Sequence, residues 1–298
     1  MSRCCLLVMA LMMLALALPA SAQVKAPSVL VMLGYGGTHE FALDAEVGKD
    51  LAAQGFLVRA VDDREPLTAD YLRQFNAVIV VGLRDYNGGG YYGVGGTSLL
   101  NTAKNVALLQ QYVLDGGGLL FVPVMAGAGS EVAETCNAAL APFKVRIGWE
   151  AVVDEANRFA DKDLANYAWT RQISAHPITA GVKALAYPTQ VMRWDDAYPL
   201  NPVMPADPAW QVLARGEATS VGARYVNRVP TPAEAGKAPA LAAVRQTGKG
   251  RVAVFGLGGF YLLTHAFAPR TDAQGKPLQN QGEATTGYID GVAYRTGD

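Results

Sequence analysis

Cysteine is nearly absent from this chain. It has three in 298 residues, two of them at positions 4 and 5. Those two fall inside an N-terminal leader described below, which leaves Cys136 alone. A single thiol excludes an intramolecular disulfide, a CxxC redox pair and a Cys/His zinc cluster. Histidine is equally scarce, with only His39, His176 and His265, so a His-rich metal site is not expected. Lysine and arginine are scattered, no basic run occurs, and the formal net charge is −1. Electrostatic binding to nucleic acid or to anionic lipid therefore has no support. The glycine-rich stretches "GGGYYGVGG" and "GLGG" lack the G-x-G-x-x-G spacing and the immediate helix start of a dinucleotide site. We expect neither a metal nor a cofactor. Internal repeats and heptads are missing as well. Stability must come from an apolar core, and a 51% hydrophobic composition can build one.

The first 22 residues read as a cleavable leader, not as fold. "MSRCCLLVMALMMLALALPASA" has Arg3, an apolar stretch from Leu6 to Leu18, and the small-x-small ending Ala20-Ser21-Ala22. That stretch is too short to span a bilayer comfortably. The expected mature chain is exported, periplasmic or extracellular, without a stable membrane anchor. Residues 23–268 then suit one α/β domain, and 269–298 read as a polar C-terminal tail or the start of a further region.

Apolar runs alternate with helical patterns through the first half. "SVLVML" (28–33), "FLVRAV" (56–61), "AVIVVG" (77–82) and "LLFVPV" (119–124) read as buried strands. Leu43, Val47 and Leu51 share one helical face, as do Val106, Leu109 and Val113, and Thr68 is placed to cap a short helix. Such alternation predicts a mostly parallel sheet covered on both faces. Further on, "FKVRIGWEAVV" (143–153) reads as a strand with a turn at Gly148. "WQVLA" (210–214) and "ALAAVR" (240–245) read as neighbouring strands joined by a Pro- and Ala-rich loop at 229–239, and "GKGRVAVFGLGG" as a turn and closing strand.

Ligands in open α/β sheets bind beyond the carboxyl ends of the strands. There the first strand is followed by Gly36, Gly37, His39 and Glu40. His39 can act as general acid or base near neutral pH. Alternatively Thr38 caps a helix and Glu40 complements its positive end. The third strand is followed by Arg84 and the insertion "YNGGGYYGVGG", whose Tyr86, Tyr91 and Tyr92 offer flat faces with hydroxyl tips suited to sugar or peptide contact. Asp195, Asp196 and Tyr198 follow Trp194. Asp196 is a candidate acid or base, and Tyr198 a candidate ligand contact. His176, before a proline, reads as structural, and Cys136 reads as a small buried hydrophobe.

Several of these segments together resemble one family. "VLVMLGYGGTHEF", "YVLDGGGLLFVPV", "HPITAGV", "WDDAYPL" and "GKGRVAVFGLGG" are similar, in that order over residues 28–262, to segments of ThuA-like proteins of the class I glutamine amidotransferase-like superfamily. The resemblance implies a flavodoxin-like three-layer α/β fold and a link to carbohydrate metabolism. Superfamily glutaminases carry a nucleophilic cysteine in the elbow after the central strand. Here that position reads Met125-Ala126-Gly127-Ala128-Gly129-Ser130, with no thiol. Ser130 is better suited to cap the next helix, with Glu131 and Glu134 in its first turn. Family members also tend to have histidine where Val124-Met125 and Gly258-Gly259 stand. The expected protein is thus an exported non-glutaminase that binds a small polar or carbohydrate ligand. The alternatives are a sugar-active hydrolase or isomerase using His39, Glu40 and Asp196, and a structural module of an envelope assembly whose tail meets a protein partner. N-terminal sequencing of the secreted product should begin at Gln23 or within a few residues of it. Recovery of a cytoplasmic protein still starting at Met1 would refute export.

Overall fold

A computed structural model describes residues 26–33, 52–62, 67–81, 103–122, 137–148, 150–160, 167–189, 200–226, 229–256, 286–289 and 292–295. The first half supplies β1 (Ser28–Leu33), β2 (Leu57–Asp62), helix α1 (Ala69–Leu72), β3 (Ala77–Val81), helix α2 (Ala103–Leu114) and β4 (Gly118–Val122). The second half supplies the short strands β5 (Val145–Ile147), β6 (Ala151–Val153), β7 (Tyr167–Thr170), β8 (Leu185–Pro188) and β9 (Val203–Pro205). Then come β10 (Gln211–Arg215), β11 (Val221–Val226), β12 (Val229–Lys237), β13 (Ala240–Thr247), β14 (Gly250–Phe255), β15 (Thr286–Ile289) and β16 (Val292–Arg295).

The central sheet has nine strands, with β2-β1-β3-β4-β14-β13-β9-β5 in order and β10 paired to β13. The first five run parallel. Their order is the 2-1-3-4-5 order of a flavodoxin-like sheet. Strand β14, from the far end of the chain, takes the fifth place. Antiparallel pairing through β13, β9 and β5 then extends the sheet. The fold is an α/β flavodoxin-like sandwich around a mostly parallel sheet, as the alternating pattern predicts.

The unbroken apolar strands follow from burial on both faces. Leu30 and Met32 of β1 enter one core with Leu72, Leu109, Val113 and Phe121, while Val29 and Val31 enter the other with Val122. Successive side chains of a strand point to opposite faces, so each face needs its own apolar set. Thr68 caps α1 as expected, its Oγ1 accepting from Tyr71 N at 3.1 Å. Helix α2 buries Leu109, Tyr112 and Val113. It ends where Gly116 adopts φ +125°, a conformation that suits glycine. A side chain at Gly117 would occupy the space of the Tyr112 ring, so the glycine run also lets that ring lie against the turn. The Tyr112 hydroxyl donates to Phe75 O at 3.2 Å.

Two expectations from the second half change. Residues 229–239 are not a loop: β12 pairs with β11 through most of this stretch. β12 occupies an edge of its three-stranded sheet, where Pro230 and Pro232 need not donate to a further neighbour. The run 143–153 is two strands in two sheets, β5 in the central sheet and β6 beside β11, with Gly148 between them. Within 269–298, β15 and β16 pair antiparallel. The neighbouring strands β10 and β13 do pair as expected.

Burial of Tyr112 pushes its phenol from 10.0 up to about 12. Burial, then the charges of Asp154 and Glu217, also holds the Tyr187 phenol well above its ordinary range. Above pH 10 the unfolded chain releases protons that the folded chain keeps, so stability falls as pH rises towards 12. Urea midpoints followed by circular dichroism should therefore drop between about pH 9.5 and 11.5. The drop should be shallower, though not abolished, in Tyr112→Phe. Equal slopes in both proteins would show that Tyr112 does not contribute.

Candidate functional site

Strand register decides which loops can share a site. Leu33, the last residue of β1, pairs with Val81, the last residue of β3. Val81 pairs in turn with Val122, the last residue of β4. Phe121 stands opposite Val254, one residue before the end of β14. Four parallel strands therefore end level at one carboxyl edge. The segments that begin at residues 34, 82, 123 and 256 all depart from it.

The residues singled out from sequence belong to segments that leave this edge or lie between β8 and β9. Gly36, Gly37, His39 and Glu40 follow β1, and Arg84, Tyr86, Tyr91 and Tyr92 follow β3. Asp195, Asp196 and Tyr198 lie between β8 and β9. All of them lie outside the described residues, as do Ser130, Cys136 and His265. His176 is described, and its role is local: Nδ1 accepts from Ile178 N at 3.1 Å and caps the turn Pro177–Thr179. Among the described residues no group of three or more His, Cys, Asp or Glu side chains is placed to hold a metal ion.

Two buried carboxylates lie close together in sequence and differ in every other respect. Asp154 is fully buried. It accepts from Ala156 N and Asn157 N at 3.1 Å, from Asn157 Nδ2 at 3.0 Å, and from Thr219 Oγ1. Those bonds fold the chain after β6 back on itself, and they account for the carboxylate completely. Glu150 is 1% exposed, yet neither of its carboxylate oxygens has a hydrogen-bond partner among the described residues. Burying a carboxylate without donors costs several kcal/mol or more, so an orphan of this kind calls for an explanation.

Glu150 is tied to the same carboxyl edge. Its carbonyl accepts from Asn201 Nδ2 at 2.8 Å, and Asn201 N donates to Gly256 O at 3.0 Å, one residue past β14. A side chain at Gly256 would collide with Asn201 O, so glycine permits this close approach. The Glu150 side chain packs beside Gly148, near Pro202 and Met204. Sequence reasoning passed over it as one acid in an apolar run, although a lone acid inside "RIGWEAVV" is itself the signal of a buried carboxylate.

No family model matches the chain, and no curated protein matches it. Solved structures do. The mmIFT52 N-terminal domain superposes with a TM-score of 0.50 at 13% identity, covering 77% of this chain and 86% of that one. A cytoplasmic protein from Salmonella typhimurium LT2 gives 0.47 at 16% identity, covering 78% and 88%. A protein described as ThuA-like, from Bacteroides uniformis, gives 0.42 at 13% identity, covering 80% and 86%. At these identities the likeness is one of fold.

Glu150→Gln keeps the shape of the side chain and removes its charge. Because no described donor stabilises that charge, the variant should be at least as stable as the wild type in urea denaturation. Glu150→Ala leaves a cavity and should lose roughly 1–3 kcal/mol. A Gln variant less stable than the Ala variant would mean that the charge has a partner.

Proposed function

We propose that the carboxyl edge of the parallel strands binds a small polar or carbohydrate ligand, and that the protein is an exported non-glutaminase. The observation that carries this reading is the level ending of β1, β3 and β4. It makes the segments that bear His39, Glu40 and the tyrosine-rich insertion neighbours at their points of departure, though they are distant in sequence. The chemistry of those residues supports a polyhydroxylated ligand. Tyr91 and Tyr92 offer faces for a sugar ring, and Glu150 offers a buried carboxylate with no hydrogen-bond partner among the described residues. The missing elbow thiol argues against glutamine hydrolysis.

Glu150 also favours a second reading, a sugar-active hydrolase or isomerase in which His39, Glu40 and Asp196 move protons. Buried carboxyl groups beside a ligand edge are the usual material of acid/base catalysis.

Calorimetric titration with a panel of neutral mono- and disaccharides tests the first reading. Replacing both Tyr91 and Tyr92 with Ala should weaken binding roughly 10- to 30-fold, on the order of 1 kcal/mol per ring, without moving the melting temperature. His39→Ala separates the two readings. It should change affinity only modestly in a binding protein, but cut turnover by about two orders of magnitude or more in an acid/base enzyme. Failure of every saccharide to bind, or binding indifferent to both tyrosines, would refute the carbohydrate reading.

A further inference from the structure

We propose that the antiparallel end of the sheet holds a second binding site, for a small molecule carrying a carboxylate on an apolar body. The site is a cavity of about 530 Å³ at the amino end of β13. Ala240 there is paired with Val203 of β9 and with Arg215 of β10. The cavity is bounded by both strands and by the end of β12. Its volume falls within the ordinary range of small-molecule sites.

The lining divides by chemistry. The surface it presents is more polar than apolar: Met204 and Val212 contribute apolar patches, and the exposed Arg215 and Lys237 supply cations. Neither cation has an acidic partner among the described residues. Arg215 Nη1 reaches only Ala238 O, at 3.5 Å, which is long for a hydrogen bond. The two acids of the lining, by contrast, are already matched. Asp207 lies 3.2 Å from Arg245 and 3.5 Å from Lys144, and Glu234 pairs with Arg146. The cavity and its immediate partners thus hold five cations against two carboxylates, in a chain whose formal net charge is −1.

One exposed lysine or arginine is ordinary surface. Two cations on one cavity, unmatched among the described residues while its acids are neutralised, suit an anion. A guanidinium receives a carboxylate through two parallel N–H donors, and a nearby ammonium adds a point charge. The apolar patches of Met204 and Val212 give an organic body a place to rest. Arg215 and Lys237 come from β10 and β12, which do not supply the carboxyl edge, while Pro202 and Met204 also lie near Glu150.

The probe is benzoate, titrated calorimetrically into the full chain at low salt, with benzyl alcohol as its neutral counterpart. Benzoate should bind with one-to-one saturation and benzyl alcohol should not. Arg215→Ala with Lys237→Ala should weaken benzoate at least about tenfold with an unchanged circular dichroism spectrum, and added salt should weaken it in the wild type. Lys183→Ala, an exposed lysine outside the cavity, should bind as the wild type does. Should the double variant misfold, Arg215→Gln alone should still weaken benzoate about threefold or more. Absence of benzoate binding up to roughly 20 mM, equal binding of benzyl alcohol, or unchanged affinity in a folded variant overturns the proposal.

Discussion

The architecture depends on the seam between β4 and β14. On one side of it lie four parallel strands from the first half of the chain, and on the other an antiparallel extension from the second. The seam begins where Gly250 lies against Gly117, just before Gly118 of β4 pairs with Arg251 of β14. A side chain at Gly250 would strike the carbonyls of Val113 and Gly117. Backbone this close to backbone leaves no room for a Cβ, so the sequence must spend glycine there. From that point outward the register is set by burial. A slip of one residue would turn Leu119 and Phe121 out of their core and break both faces together.

Parallel pairing also levels the carboxyl edge, and the level edge supports the functional reading. Glu150 reaches it by a different route, through the side chain of Asn201 and the carbonyl of Gly256. Asp154, only a turn further on, shows how the same protein treats a carboxylate that serves structure: it surrounds the group with four donor groups. Among the described residues Glu150 has no such donors, and that contrast is what the proposed ligand reading draws on.

The parallel half was legible in sequence because burial on both faces writes long apolar runs that need no partner to be recognised. Thr68 marks a helix start by local chemistry, and it reads correctly for that reason. β12 was not legible, because Pro230 and Pro232 argue against a strand until it is known to lie at a sheet edge. Strands β15 and β16 were not legible, because the sequence beyond residue 269 shows no periodic apolar face. Of the candidate site, the edge could be inferred from topology alone. Glu150 could not, since what distinguishes it from Asp154 is the absence of donors among the described residues around it, and that is a property of packing that no local pattern records. The charge excess around Arg215 and Lys237 is similarly a matter of which acids are already matched, and residues far apart in the chain decide it.

The position of β14 has a consequence for the order in which the molecule can be made. Gly118 pairs with Arg251, so the two halves of the seam are separated by well over a hundred residues of chain. As the chain emerges from the ribosome, β4 must wait with one edge unpaired until nearly all of the sequence has followed. Contacts of such long range are slow to form, and an open parallel edge is exposed to the wrong partner meanwhile. The central sheet therefore closes as a late event in folding, once β14 is available to cover the free edge of β4.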